Sequence, residues 1–457
     1  MSKNKEENNA IADDDLFADK RDAREGICSY CHRFNTQTSW CQSCDPQRVN
    51  NPRLKSENEK LNNFINKIQY KITEYHRAIE WIPFDRLKNI EKIGEGYFNE
   101  IYSATWIDGY RQLQWDKYKT LRGSRKSNGL VALRCIKRNE NKIDIIQEFK
   151  IHCRCQVNNN HLRVYGITLN PYTMDYMIVI KYAEFGNLRN YLSLNFYQLV
   201  WSEKLGFLRR IIEDLATIHA AGYMHLNLHS GNILQTNDGK GRIISAISDF
   251  RFAKKIDGRN NLKKERKEEK KEEREEINGE EKKEEKEKKQ ISGVIPYIAP
   301  EVIINQQFSS TVDIYSFGVI MAEMSTGFPP FYDCAHDLEL ARKICNGLRP
   351  EFGEGTPEYY IQFARKCMRH NPLDRPNSTT CKNMISRMWN ISNGVEEFLL
   401  PEQLKIRYEF DKADDKIQRR LNNNNNNHHH CNNNNNNLSY HPHPQAIYSC
   451  RLLEFRK

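Results

Sequence analysis

The chain has 457 residues, room for one large domain plus additional segments. Its hydrophobic share of 38% and mean hydropathy of -0.81 are low for a chain that is globular throughout, so part of it is expected to be solvated. The net charge of +10 is spread thinly over 70 basic and 60 acidic residues and reads as a solvated basic surface rather than a dense anion-binding patch.

Residues 1–25 are polar and acidic-rich, and are expected to form a disordered tail. They lack the apolar core of a secretory signal, and no run in the chain approaches the length of a membrane span. The expected compartment is therefore cytoplasmic or nuclear, with thiols reduced or metal-bound. Of the 13 cysteines, four fall in residues 26–46 as Cys28-x2-Cys31-x9-Cys41-x2-Cys44. Each C-x-x-C can turn two thiolates onto one tetrahedral Zn²⁺. The segment is too short for a core of its own, so zinc would supply its folding energy. The competing reading is four unligated cysteines in a tail. A zinc-knuckle-like unit of this kind would be structural or would bind a protein.

Residues 54–82 read as a helical linker. Ser56-x-x-Glu59 is a possible capping box. Leu61, Phe64, Ile65, Ile68, Ile72, Tyr75 and Ile79 recur at helical spacing, and the helix is expected to end near residues 81–83. From Ile90 the pattern turns to short strands at residues 101–106, 130–136 and 176–181. Helical patterns follow at 188–194 and 203–220, and again from 311 to 389. A strand-rich part followed by a helical part gives an α+β chain in two lobes. Two low-complexity tracts interrupt it. Residues 259–290 are nearly all Lys, Arg and Glu, with no apolar stripe, and read as an insertion loop. Residues 393–457 read as a tail rich in Asn and His.

The residues that carry chemistry come in a fixed order. Residues 93–101 include Ile93-Gly94-Glu95-Gly96 and end in Asn99-Glu100-Ile101; glycine there lets backbone approach a phosphate without a Cβ. Next come Val131-Ala132-Leu133-Arg134, then Glu148 in a helical pattern, then Ile178-Val179-Ile180-Lys181-Tyr182-Ala183 and Gly186-Asn187-Leu188. His225-Leu226-Asn227-Leu228-His229-Ser230-Gly231-Asn232-Ile233-Leu234 precedes Ser248-Asp249-Phe250-Arg251. Pro296-Tyr297-Ile298-Ala299-Pro300-Glu301, Asp313-Ile314-Tyr315-Ser316-Phe317-Gly318 and Asn371-Pro372-Leu373-Asp374-Arg375-Pro376 complete the series.

This ordered set resembles the eukaryotic protein kinases over residues 87–392. Residues 186–188 and 313–318 are worded most like the tyrosine-kinase-like branch. The resemblance implies a small β-rich lobe over a larger helical lobe, with ATP in the cleft. It implies that Ile93, Gly94, Gly96, Ile101, Ala132, Ile180 and Leu234 surround the nucleotide, with Ile180 as gatekeeper, and that backbone at Lys181 to Ala183 meets the adenine. Arg134 would stand at the phosphate-lysine position and pair with Glu148. Asn232 and Asp249 would hold Mg²⁺. Asp313 would hold the catalytic-loop backbone, and Glu301 would pair with Arg375.

The site also departs from the family. Asn227 stands where a carboxylate should accept the hydroxyl proton, a loss of roughly 10²–10⁴ in rate by analogy with removal of a general base. Arg134 replaces a compact ammonium with a planar fork. Arg251 replaces a glycine, either locking its segment or bringing a cation to the phosphates, and Asn99 replaces another. Leu226 replaces the arginine that reads a phosphorylated loop. His229 reads as a loop histidine or as a substitute base. The expectation is a pseudokinase that signals by binding or scaffolding other signalling proteins, with ATP and Mg as weak ligands. The alternative is an active serine/threonine or dual-specificity kinase. A nucleic-acid adaptor is the third reading, but only Phe34 and Trp40 offer aromatic surface among the cysteines. Oligomeric state is not legible.

Overall fold

A computed structural model describes residues 17–49, 56–96, 99–136, 145–156, 163–239, 241–256, 291–395, 400–426 and 441–453. The charged tract 259–290 and the Asn/His run from 427 to 440 lie outside them. The chain divides into two compact units, Met1–Glu91 with Tyr102–Leu133 and Val164–Ile180, and Lys92–Ile101 with Arg134–Arg163 and Lys181–Lys457.

The first unit holds helices α1 (Asp45–Val49) and α2 (Glu59–Gln69) and most of eight strands. These are β1 (Glu80–Trp81), β2 (Leu87–Glu95), β3 (Asn99–Trp106), β4 (Tyr110–Trp115), β5 (Leu121–Lys126), β6 (Gly129–Ile136), β7 (Val164–Asn170) and β8 (Asp175–Lys181). One sheet runs β1-β7-β8-β6-β3-β2, and β4 pairs with β5 as a separate antiparallel hairpin. Leu133, Ile167, Ile178 and Val179 are fully buried; the consecutive Ile178 and Val179 point to opposite faces, so β8 is covered on both.

Two expectations for the linker need correction. The N-cap of α2 is Asn58, whose side chain accepts from the Leu61 N–H; Ser56 instead bonds to Asn58 and Asn62. The helix also stops at Gln69 rather than near residue 81. Ile72 and Ile79 are buried, but through turns and through β1, which pairs in parallel with β7. The partner of Glu80 there is Gly166, where an added Cβ would sit 1.8 Å from the Glu80 carbonyl oxygen. The Glu80 carboxylate is held by Arg111 at 2.7 Å and Arg125 at 3.0 Å. Strand pairing and these ion pairs outweigh a periodicity that continues past Gln69.

The second unit is mainly helical. Its helices are α3 (Ile145–Gln156), α4 (Leu188–Asn195), α5 (Trp201–Ala220), α6 (Pro300–Asn305), α7 (Ser310–Thr326), α8 (Leu338–Cys345), α9 (Glu358–Cys367), α10 (Ser378–Ser392) and α11 (Pro401–Asn426). Short strands β9 (Tyr223–Met224), β10 (Ile233–Asn237), β11 (Ile243–Ile247), β12 (Lys254–Lys255), β13 (Ile291–Gly293) and β14 (Arg451–Leu453) carry the loops between them. Helix α7 is buried on every side from Val312 to Ser325 and forms the centre of this unit. The Arg375 guanidinium donates to both Glu301 oxygens at 2.7 and 2.8 Å, and Glu301 opens α6.

The reading of 393–457 as a tail is corrected in two places. In α11, Ile406, Phe410 and Ala413 are buried, and Asp414 accepts from the Trp201 N–H at 2.7 Å, supplying an acceptor at the start of α5. Residues 441–453 also pack on this unit. Near the N-terminus, Arg21 donates to Ser43 at 3.0 Å and reaches the Cys41 sulfur, so residues 17–25 are likewise structured. Among the described residues, no helix is long and apolar enough to cross a membrane.

Candidate functional site

The site is built in the second unit from the ends of four elements. Arg134 comes from the end of β6, Glu148 from α3, Asn227 and Asn232 from the loop between β9 and β10, and Asp249 and Arg251 from the turn after β11. Asp313, in the first turn of α7, fixes that first loop. Its carboxylate accepts from the backbone N–H groups of His225 and Leu226, both at 2.8 Å, and contacts His219 Nε2 at 2.9 Å. With that anchor Leu226 holds a left-handed backbone at φ 63°. Such torsions persist where surrounding bonds over-determine them.

The buried charges form a chain. Arg134 Nε lies 2.9 Å from Glu148 Oε1, close enough for an ion pair but not aligned as a hydrogen bond. Arg134 Nη2 donates to Asp249 Oδ1 at 2.6 Å. Arg251 Nη2 donates to the other oxygen, Oδ2, also at 2.6 Å. Asn227 Nδ2 adds a longer contact to Oδ2 at 3.4 Å. Two guanidinium groups and an amide therefore converge on one carboxylate, and all these side chains are nearly sealed from solvent.

The electrostatics follow from that geometry. Burial alone would raise the Asp249 pKa, but Arg134 and then Arg251 outweigh it and hold the carboxyl well below the usual range. Glu148 moves the other way, because burial dominates over the pull of Arg134. Burial would lower the Arg134 pKa, yet Asp249 and Glu148 hold it above its ordinary value. Asp249 is thus the fixed anion of the cluster, and Glu148 its more easily protonated member.

Asp249 itself carries the left-handed torsion, φ 69°, and Arg251 does not. The arginine in the glycine position therefore meets no torsional penalty and is free to bond back to the carboxylate two residues earlier. Asn227 Oδ1 is buried without a hydrogen-bond partner, as is Glu148 Oε2. The Asn227 carbonyl accepts from Asn232 Nδ2 at 3.0 Å, and the Asn232 carbonyl accepts from the Ser248 N–H at 2.8 Å.

Of the nucleotide residues, Ile93, Gly94, Gly96, Ile101, Arg134, Lys181, Ala183 and Leu234 lie in the second unit, and Ala132 and Ile180 in the first. Gly96 donates to the Asn99 carbonyl at 2.8 Å, and a Cβ on it would meet Asn99 Oδ1 at 2.2 Å. The Lys181 N–H is taken by the Arg163 carbonyl at 2.7 Å, and the Ala183 carbonyl accepts from Gly186.

The donor set for magnesium fails a simple test. Mg²⁺ needs oxygen ligands at about 2.0–2.1 Å in octahedral array. Both Asp249 oxygens already carry a guanidinium donor. A dication placed against them would face Arg134 and Arg251 across the same carboxylate. The arrangement does not fit the ion.

His229 caps the turn it opens: Nδ1 accepts from the Gly231 N–H at 3.1 Å, which leaves the proton on Nε2. Burial, aided by Arg189, lowers its pKa from 6.5 to about 3. The unfolded chain therefore takes up this proton first as pH falls, and the stability contributed by the neutral ring is lost between about pH 6.5 and 3. From pH 6.5 to 5 this amounts to about 2 kcal/mol, at roughly 1.4 kcal/mol per unit. His229→Asn keeps the cap acceptor without titrating. Chemical denaturation at the two pH values should show a shallower loss in that variant; equal losses would refute the assignment.

In the first unit, the sulfurs of Cys28, Cys31, Cys41 and Cys44 lie within 4.8 Å of one another. Cys31 and Cys41 sulfurs are 3.7 Å apart, close to the ~3.8 Å edge of a tetrahedron with 2.3 Å zinc–sulfur bonds. Backbone N–H groups of Tyr30 and Cys31 point to the Cys28 sulfur, and those of Ser43 and Cys44 to that of Cys41. Both C-x-x-C turns thus present sulfur in the same way, and the four thiols could hold a zinc ion. The knuckle is tied to its neighbours by Ser39 Oγ, which accepts from the Gly123 N–H at 2.8 Å, and by Gln42, which donates to the Tyr70 carbonyl at 2.7 Å. Trp40 is fully buried and bonded to Gln42, so it offers no face for stacking on a base.

The protein kinase domain family matches residues 118–389, more than half of the chain. The chain belongs to the protein kinase family. Its match begins after the glycine loop and ends within α10. Among curated relatives, the probable serine/threonine-protein kinase roco5 of Dictyostelium discoideum is 26% identical over 309 residues, covering 65% of this chain and 9% of that protein. A second probable serine/threonine-protein kinase of that organism is 28% identical over 249 residues, covering 52% of this chain and 15% of the other. The probable serine/threonine-protein kinase pats1, also from Dictyostelium, is 24% identical over 314 residues, 67% of this chain and 9% of its own. The chain therefore spans a small fraction of each of these proteins. As a member of the family it has the β-rich and helical lobes, with a four-cysteine segment ahead of them.

Proposed function

We propose that this kinase-family chain is a pseudokinase of the tyrosine-kinase-like branch, which signals by binding other signalling proteins rather than by transferring phosphate. One observation carries the reading: Arg134 and Arg251 occupy both oxygens of Asp249 beside an amide, Asn227, at the proton acceptor's position. An amide cannot take the hydroxyl proton at neutral pH, and the carboxylate that would hold magnesium is neutralised from within. The substitutions at 134, 227 and 251 are complementary. An aspartate at 227 would face Asp249 as a like charge, whereas the amide donates to it. Zinc on the four cysteines is proposed as a structural part of the protein.

The test is γ-phosphate transfer to a generic protein substrate. Wild type is expected at background, and Asn227→Asp alone is expected to stay within about tenfold of it, because the two arginines remain. Restoring all three positions (Asn227→Asp, Arg134→Lys, Arg251→Gly) is expected to raise the rate at least about 100-fold, the lower range for a general base. Wild type transferring as fast as the triple variant would overturn the proposal. The second reading, an active serine/threonine kinase with an atypical site, is favoured by the names of the relatives. Under that reading ATP-dependent thermal stabilisation requires magnesium. Under the first, any ATP effect is the same in magnesium and in EDTA.

A further inference from the structure

The last described stretch, residues 441–453, crosses the second unit as an irregular segment that turns at His443–Ala446 and ends in β14. It begins on the loop after α7, where the His443 N–H donates to the Tyr332 carbonyl at 2.8 Å and the His336 N–H donates to the Gln445 carbonyl at 3.0 Å. Each ring nitrogen of His336 faces a carbonyl oxygen, Ile447 of the crossing segment at 2.9 Å and Phe331 of its own loop at 3.1 Å. Tyr448 is held on three sides. Its hydroxyl donates to the Pro330 carbonyl at 2.9 Å, its ring meets His336 edge-on at 4.7 Å, and Arg189 lies 4.6 Å over it while donating to its carbonyl.

Beyond Tyr448 come Cys450 and then β14. Cys450 is 7% exposed, and burial pushes its thiol up to about 12, with Arg251 and Asp249 among the charges it feels. β14 then pairs antiparallel with β13, Leu453 opposite Ile291 and Arg451 opposite Gly293. Leu453 is 7% exposed in the same core as Ile291, Val294 and Ile298. Among the described residues, β14 is the strand that pairs with β13. Without it the N–H and C=O groups on that edge would lie open to any extended chain. Beside β13 lies a cavity of about 130 Å³ lined by Leu226, Asn227, Phe252, Ile298 and Phe308 among others.

We infer that the β13 edge, the loop around His336 and Arg189 form a recognition surface for an extended peptide, and that its occupant is this chain's own segment 441–453. The anchors are Tyr448, Cys450 and Leu453. Main-chain pairing supplies affinity, and half-buried Tyr448 with buried Cys450 and Leu453 supplies selectivity. The segment covers this edge, so a partner's extended peptide reaches it only after the chain's own residues leave it. The strand is thus an internal competitor for the partner surface. This inference is independent of whether the site transfers phosphate.

The experiment uses the 457-residue chain, wild type and Leu453→Lys, with a fluorescent peptide of residues 441–453. Amide exchange is followed at 291–293 and 451–453, and peptide binding by anisotropy. In wild type both segments should be protected together and the added peptide should not bind. In Leu453→Lys both should exchange about 30-fold faster, the ratio expected for loss of one buried leucine from the docked strand, and the peptide should now bind. A second variant, Tyr448→Ala, should behave in the same direction. A cooperative melt with protected α7 amides identifies properly folded variants. Unprotected 451–453 in wild type, or folded variants with unchanged exchange and no peptide binding, would overturn the inference.

Discussion

The purified 457-residue chain should contain one zinc ion, and stripping it should unfold the segment around Cys28 to Cys44 while the helical lobe stays folded. The magnitude follows from how such segments are held. The knuckle has little apolar core apart from Trp40, Cys28 and Cys41, so metal–thiolate bonds would supply most of its folding energy. Structural zinc sites in short peptides contribute about 10–16 kcal/mol of apparent binding free energy at neutral pH. Replacing one ligand, as in Cys44→Ser, should remove most of that. The readouts are metal content and amide exchange. Exchange at 28–44 should rise toward the unfolded rate, and Trp40 emission should shift to the red as its burial is lost. Protection at Gly123 should fall as well, because its N–H donates to Ser39 of the knuckle. Substoichiometric zinc in chain purified without chelator, together with unchanged exchange after EDTA, would dispose of the site.

Asp249→Asn should destabilise the second unit by about 3–5 kcal/mol, the cost of removing one partner from a buried ion cluster. In wild type, two buried guanidinium groups share Asp249, and Glu148 supports only Arg134 directly. With the carboxylate neutralised, a positive charge is left buried without an equivalent anion. The sign is the informative part. A carboxylate kept open for a metal would be a source of repulsion, and its neutralisation in metal-free protein would be neutral or stabilising. Urea denaturation in EDTA separates the two cases. A variant as stable as wild type would mean that the arginines do not hold Asp249 in solution. The acid side gives the matching sign. Asp249 has its folded pKa depressed by Arg134 and Arg251, so its stabilisation is present above the ordinary carboxylate range and is lost only on strong acidification.

Much of the fold was legible because each motif is local. Strands at 101–106, 130–136 and 176–181 lie within β3, β6 and β8, and helical patterns at 188–194 and 203–220 lie within α4 and α5. The pairing of Arg134 with Glu148 and of Glu301 with Arg375 follows from charge types at family positions. Failures occurred where distant segments decide. The stripe from Leu61 to Ile79 is periodic throughout, yet β7 takes Glu80 and Trp81 into a sheet. The buried face of α11 did have a signal, Ile406, Phe410, Ala413 and Ile417 at helical spacing, but low overall hydropathy and the neighbouring Asn run masked it. The docked segment 441–453 had none, since Pro442 and Pro444 break any strand pattern and it is β13 that recruits its end.

The order of motifs along the chain was enough to assign the fold and to mark residues 134, 227 and 251 as exceptions, because residue type alone says which atoms can accept a proton or carry a charge. Residue type could not say where those charges point. Arg251 two residues from Asp249, and Arg134 more than a hundred residues away, meet the same carboxylate because β6, α3 and the turn after β11 bring them together. That convergence turns three separate losses into one closed ion cluster, since a buried charge is stable only with its partner in place.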